Sequence, residues 1–318
     1  MRKLFALIAI FLILLMVIRG WWSMNLSPVG KDTQTKTVII AKGKSLTEIA
    51  NQLKKENLIK SAFIFSLYTR LQGFSNRLSA GTFTLSPSQS TPEIVKVLSG
   101  TPSEVWVTLI EGWRIEEMAD RLNSELRTAN SEFLKNAKEG YMFPDTYLFP
   151  NDVTVEQIVK MMRDNFEKKF TQELRSKVKA LGLTENQAVI LASIVEREAR
   201  SDKARIEIAS ILLKRFKIDM GLNADATVQY ILGYQSQEKS WWKRHLTKED
   251  LKIDSPYNTY LYRGLPPAPI ANPGLSSLQA MANADPDTPY LYYYHDSKGN
   301  SYYAKTLEEH NLNVANNP

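Results

Sequence analysis

The chain has 318 residues, 43% hydrophobic and 23% charged, which is room for about two domains of ordinary globular composition. A net charge of +6 suits an anionic partner or surface, but no dense Lys/Arg stripe marks a nucleic-acid binder, and no nucleic-acid partner is expected. The absence of cysteine excludes disulfides, thiol nucleophiles and thiolate metal sites; His245, His295 and His310 lack metal-ligand spacing, so no metal or other cofactor is expected.

Arg2 and Lys3 precede fifteen uncharged apolar residues, 4–18, followed by Arg19, Gly20, Trp21 and Trp22. Fifteen is short for a membrane span and also fits a signal-peptide core. No small-x-small cleavage site follows, the Trp pair suits an interfacial belt, and Arg19 can snorkel from the same depth. The expectation is an uncleaved single-pass anchor over residues 1–24. The basic flank puts the N-terminus in the cytoplasm and the rest of the chain in the periplasm or extracytoplasmic space.

Residues 25–36, with Pro28 and Gly30, read as a polar linker. A β-branched strand is expected from Thr37, and Ser45-Leu-Thr-Glu48 reads as a capping box opening a helix with Leu46, Ile49, Ala50 and Leu53 on one face. A second helix over 61–71, a strand over 81–85 and a short helix over 91–98 with Pro92 in its first turn complete a unit spanning 37–104. The pattern then partly repeats: Gly112 is followed by Ile115, Met118, Ala119 and Leu122 at the offsets that separate Gly43 from Leu46, Ile49, Ala50 and Leu53. The first unit resembles a LysM-type β-α-α-β module over residues 37–58, on Gly-Lys-Ser-Leu-Thr-Glu-Ile-Ala; a glycan binder and a structural spacer both fit it.

The remainder, 105–318, reads as a mixed α+β domain, giving an α+β chain overall. Helices are expected near 153–181, from the cap Thr184-Glu-Asn-Gln187, and over 204–216. The region beyond is irregular and ends in a tyrosine-rich hairpin, 290–295 and 301–304, whose tyrosines are strand residues by preference.

Four segments hold polar groups that a soluble core would not need: 139–147, 194–198, 223–229 and the Pro/Gly-dense 257–274. In Leu191-Ala-Ser-Ile-Val-Glu-Arg-Glu198, Glu196 interrupts an apolar run. Burial there should raise its pKa, as a general acid requires, although a carboxylate paired with an Arg for structure is the alternative. Glu198 lies about 200° around the helix from Glu196, so the two should not share a site, and Glu198 reads as a solvent-facing charge. Asp225, Thr227, Asn258, Thr259 and Tyr260 are candidate glycan contacts, with turn capping and packing as the alternative. Glu111 and Arg114 could line a cleft but read better as a domain seam. Trp241 and Trp242, in an extended polar loop, could stack on sugars, touch the membrane or pack.

Together Glu-Gly-Tyr-Met-Phe-Pro-Asp-Thr-Tyr, Ala-Ser-Ile-Val-Glu-Arg-Glu, Leu-Asn-Ala-Asp-Ala-Thr-Val, Ser-Pro-Tyr-Asn-Thr-Tyr and Gly-Leu-Pro-Pro-Ala-Pro-Ile-Ala-Asn-Pro-Gly closely resemble the YceG-like endolytic murein transglycosylases, from about residue 37 to 310. Asp225-Ala-Thr departs from the Asp-Pro-Thr of that pattern. The resemblance implies cleavage of the MurNAc–GlcNAc β-1,4 bond of nascent peptidoglycan glycan strands, without water, to leave 1,6-anhydro-MurNAc ends. It implies Glu196 as the single acid/base, attachment to the cytoplasmic membrane, and cooperation with peptidoglycan synthases. A non-catalytic peptidoglycan-binding scaffold, or a hydrolytic muramidase with Asp225 or Glu198 activating water, are the rival readings.

Overall fold

The computed structural model describes residues 2–128, 130–199 and 201–317; the side chains of residues 2–7, including the Arg2–Lys3 flank used for topology, lie outside the described residues. The fold is mixed α+β with one apolar N-terminal helix. Helix α1 (Arg2–Leu26) opens the chain and runs through the first residues of the expected linker. Residues 8–26 form a span-length apolar stretch of mean hydropathy 1.7, none of it buried in the protein.

The elements that follow are β1 (Lys36–Ile40), α2 (Leu46–Lys55), α3 (Ala62–Leu71), β2 (Gly81–Leu85), α4 (Thr91–Leu98), β3 (Glu104–Thr108), α5 (Ile115–Leu126), α6 (Asn130–Asn136), β4 (Thr146–Pro150), α7 (Val155–Lys169), α8 (Gln172–Ala180), α9 (Glu185–Glu198), α10 (Asp202–Lys217), α11 (Asp225–Leu232), α12 (Leu275–Ala282), β5 (Tyr292–His295), β6 (Ser301–Ala304) and α13 (Leu307–Asn316). Strands β1 to β4 form one sheet in that order, with β1 and β2 antiparallel in the register Val38 to Phe83; β5 and β6 form a separate hairpin. By internal packing the chain divides into residues 1–106 with 148–153, and residues 107–147 with 154–318.

The local chemistry of the first unit follows its sequence. Glu48 Oε2 accepts the Ser45 backbone N–H at 2.8 Å, and Ser45 Oγ accepts the Glu48 N–H at 3.3 Å, closing the expected box at the start of α2. Val38, Ile49, Leu53, Phe65, Phe83 and Ile94 build its core, each worth roughly 1.5–3 kcal/mol of burial. The expected linker is tied down: the Gly30 N–H donates to Pro87 O at 3.1 Å, and Ser86 Oγ donates to Asp32 O at 2.9 Å.

The internal echo has a structural counterpart. Gly43 and Gly112 take φ of +85° and +76°, a left-handed turn that side chains with a Cβ resist, and each is followed three residues later by a helix. Glu117 of α5 accepts the Arg114 N–H at 3.1 Å, as Glu48 does for Ser45, and Met118, Ala119 and Leu122 are buried as Ile49, Ala50 and Leu53 are.

In the second unit the core is helical. Helix α9 is buried from Ala188 to Val195, packed by α10 and α12 through Ile208, Leu212, Leu278 and Met281. The stretch expected to be irregular contains α11 and α12. Neither has a side-chain N-cap, so the punctuation that marks other helices in this sequence is missing there.

Candidate active site

Segment 257–274 is the common partner of the other three polar segments. Asn272, fully buried, is its hub: Oδ1 accepts the backbone N–H groups of Gly140 at 2.9 Å and Met142 at 3.0 Å, while Nδ2 donates to Trp113 O at 3.0 Å and Glu139 Oε1 at 2.7 Å. Gly140 sits at φ +85°, and a Cβ there would lie 2.5 Å from Pro269, so the close approach demands glycine. Ser193 of α9 accepts the Ile270 N–H at 3.1 Å. Three long-separated motifs are thereby locked to one rigid Pro/Gly loop.

Glu139 is 8% exposed, and burial, then the charge of Glu116, push its carboxyl up to about 8. A group whose folded pKa exceeds its ordinary 4.5 supports the fold fully below that ordinary value and loses this support as pH rises toward 8. Stability should therefore fall between about pH 5 and pH 8 by an amount on the order of 2–4 kcal/mol, and Glu139→Gln should flatten the decline. Urea unfolding across that window measures it; an unchanged slope in the variant would remove Glu139 as the cause.

The two carboxylates of α9 part company. Glu196 has a side chain only 5% exposed, pairs with Arg205 at 3.3 Å and accepts the Gly274 N–H at 2.9 Å. Arg205 also binds Asp202 at 2.7 Å. Glu111 packs on the same spot: a Cβ at Gly274 would lie 1.9 Å from its Oε1, and burial, then the Glu196 charge, raise its pKa. Glu111 was expected at a domain seam; it stands beside Glu196. Glu196 is thus a buried carboxylate paired with Arg205.

Glu198 is not a solvent-facing charge. It lines a cavity of about 430 Å³ with Arg215, Asn223, Asp225, Tyr260, Tyr293 and His310. Desolvation, then the negative charge of Asp225, raise its carboxyl to about 7, against hydrogen bonds from the Ala226 N–H and the Tyr293 hydroxyl. Tyr260 donates to Asp225 Oδ1 at 2.6 Å. Arg215 is spent on the carbonyls of Leu291 at 2.6 Å and Leu222 at 2.7 Å, which fixes the hairpin and the start of α11 around the cavity. His310 stacks on Tyr292 with centroids 5.4 Å apart. The hairpin tyrosines, set aside as ordinary strand residues, thus supply one wall and one direct partner of Glu198. Period-two alternation could not reveal this, because the contact is made only when the hairpin folds back over α10.

The sequence-derived contact residues divide. Asp225 and Tyr260 face the cavity. Thr227, Asn258 and Thr259 do not: all three are buried. Thr227 Oγ1 meets Thr259 Oγ1 at 3.0 Å and donates to Ala224 O at 2.7 Å. Asn258 Nδ2 donates to the carbonyls of Leu251 at 3.0 Å and Ile253 at 2.8 Å. Their hydrogen-bonding capacity is used within the protein, so they shape the loop that presents Asp225 and Tyr260.

Trp242 is buried beneath Arg197, whose guanidinium lies 3.8 Å from its ring centroid, and its Nε1–H donates to Glu117 at 2.9 Å. Trp241 stacks edge-on with Tyr234 at 5.4 Å and under Arg114 at 4.8 Å. Packing accounts for Trp242, while Trp241 is half-buried against Tyr234 and Arg114. Among the described residues no group of three or more His, Asp and Glu side chains could hold a metal ion.

Residues 38–316 match the YceG-like family. A relative from Bacillus subtilis (strain 168), named endolytic murein transglycosylase, is 34% identical over 90% of this chain and 86% of its own. A relative of the same name from Streptococcus pneumoniae serotype 2 is 29% identical over 88% of this chain, which spans 58% of that longer protein. The crystal structure of a yceG-like protein from Listeria monocytogenes aligns with a TM-score of 0.66 at 32% identity, covering 87% of this chain and 98% of that one. With the match running from the first strand to the last helix, the chain belongs to the YceG-like family.

Proposed function

We propose that this chain is an endolytic lytic transglycosylase acting on nascent peptidoglycan glycan strands, with Glu198, in place of the expected Glu196, as its acid/base. The observation that carries the assignment is the position of Glu198 in the wall of a cavity shared with Asp225 and Tyr260, where burial and the Asp225 charge raise its carboxyl to about 7. The names of the relatives support the substrate and the reaction class.

A carboxyl poised near neutrality can give and take one proton in turn. Glu198 donates its proton to the glycosidic oxygen as the C1–O4 bond breaks, with the electron pair leaving on O4. Its carboxylate then accepts the C6 hydroxyl proton as O6 bonds to C1. The enzyme is regenerated, no water is consumed, and the product is the 1,6-anhydro sugar. A second protein carboxylate, needed in ordinary glycosidases, is replaced by the substrate's own acetamido and C6 hydroxyl groups. Asp225 keeps the Glu198 proton in place by like-charge repulsion, and Glu196 with Arg205 positions the loop at Gly274.

The apolar helix α1 supports attachment to the cytoplasmic membrane with the remaining chain outside the cytoplasm, where strands emerge from glycan-polymerising synthases. The β-α-α-β order of residues 36–85 supports a LysM-like reading of the first unit.

Digestion of purified uncrosslinked glycan, with products read by mass spectrometry, tests the reaction. Anhydro ends, lighter by one water than reducing ends, are expected; reducing ends would make the chain a muramidase, and intact strands a scaffold. Because Asp225 raises the Glu198 pKa, Asp225→Asn should move the alkaline limb of the kcat/KM profile from near pH 7 to lower pH. A limb that stays in place would detach Asp225 from the titration.

A further inference from the structure

We propose that the first unit lies on the bilayer surface, with Phe63 of α3 seated between lipid headgroups and acyl chains. The proposal rests on reading α1 as a membrane span, and its geometry comes from how the unit grips the end of that helix. Lys60 Nζ donates to the Met24 carbonyl at 3.1 Å and to Ser27 Oγ at 2.7 Å, fixing the start of α3 beside the last turn of α1. Arg19, Trp22 and Leu26 also line a cavity of about 640 Å³ together with Ser27 and with Ser90 and Pro92 at the start of α4. Arg19 precedes Leu26 by seven residues, about 10 Å along a helix axis. The unit therefore reaches down beside α1 to the depth of Arg19 and Trp22, residue types that belong at the headgroup level.

A unit held at that depth cannot stand clear of the lipid. Phe63 is the second residue of α3 and three residues after Lys60; it is 67% exposed, although its neighbours Ile64 and Phe65 are fully buried. An aromatic ring in that position is unfavourable in water and favourable at the headgroup–acyl boundary. Lys54 and Lys55, exposed in the last turn of α2 a few residues before Lys60, supply positive charge to an anionic surface. The partner these groups fit is an anionic phospholipid bilayer.

Because the chain has no cysteine, single-cysteine variants label at one site only. The full chain is reconstituted in nanodiscs of phosphatidylcholine and phosphatidylglycerol, carrying an environment-sensitive fluorophore on Phe63→Cys or, separately, on Ile13→Cys within α1. With doxyl-labelled lipid in the disc, both positions should show blue-shifted emission and quenching, position 63 most strongly with the label near the headgroup. Water-like, unquenched emission at 63 beside quenched emission at 13 would overturn the proposal and leave the anchor standing. Unquenched emission at 13 would overturn the anchor and the proposal together.

Discussion

Glu198→Gln is expected to lower the rate of glycan cleavage by about 10³-fold, the usual worth of a positioned general acid. The amide keeps the size of the side chain and can still accept from the Ala226 N–H, so the fold and substrate affinity should hold while kcat collapses. Glu196→Gln should cost about tenfold or less. Its amide oxygen can still accept the Gly274 N–H, and what is lost is the pairing with Arg205. Single-turnover rates on labelled, uncrosslinked strands separate the two. The reverse ranking, with Glu196→Gln inert and Glu198→Gln active, would return the acid role to Glu196 and make the cavity around Glu198 structural.

Asn272→Ala should be the most damaging single change to stability outside the apolar core. The substitution strands the buried N–H groups of Gly140 and Met142, leaves Glu139 without its side-chain donor, and opens a void where the 139–142 segment and Trp113 meet the loop. Each unsatisfied buried group costs about 1–3 kcal/mol. Partial relaxation brings the total to about 3–5 kcal/mol, or on the order of 10 °C in Tm for a unit of this size. Asn272→Asp should rescue little. Its carboxylate accepts both N–H groups, but it loses the donors to Trp113 and Glu139 and sets two acidic groups against each other. A Tm within two degrees of wild type for Asn272→Ala would show that the 139–142 segment is held to the loop by other contacts. The activity of the variant should fall with its stability, because the same loop carries Tyr260 and Gly274.

The placement of Glu198 shows why helix geometry alone misled. Two residues separate it from Glu196, and about 200° of rotation does send the two side chains to different partners. The inference that one therefore faces water does not follow, because α9 ends inside a second enclosure made by α11 and the β5–β6 hairpin. Both faces at this end of the helix are covered. The same enclosure converts Tyr293 from an ordinary strand residue into a partner of Glu198. Thr227 and Thr259 are the converse case: their side chains suit sugar hydroxyls, but here they meet each other.

The sequence alone determined the apolar anchor-length helix, the capped helices, the strand–Gly turn–helix echo, the absence of thiol chemistry and the four segments that carry polar groups. All of these depend on composition or on contacts within a few residues, where a hydrogen bond such as Ser45–Glu48 is encoded by spacing. It also carried the family, because the motifs are long and ordered. Tertiary structure decided which carboxylates are desolvated beside a like charge and which of them lines a cavity, which of the polar loop residues are spent internally, and which aromatic rings are packed. Those properties depend on groups far apart in the chain. Asp225, Tyr260 and Tyr293 meet Glu198 only after α9, α11 and the hairpin have closed on one another, and a pKa is set by the medium that closure creates.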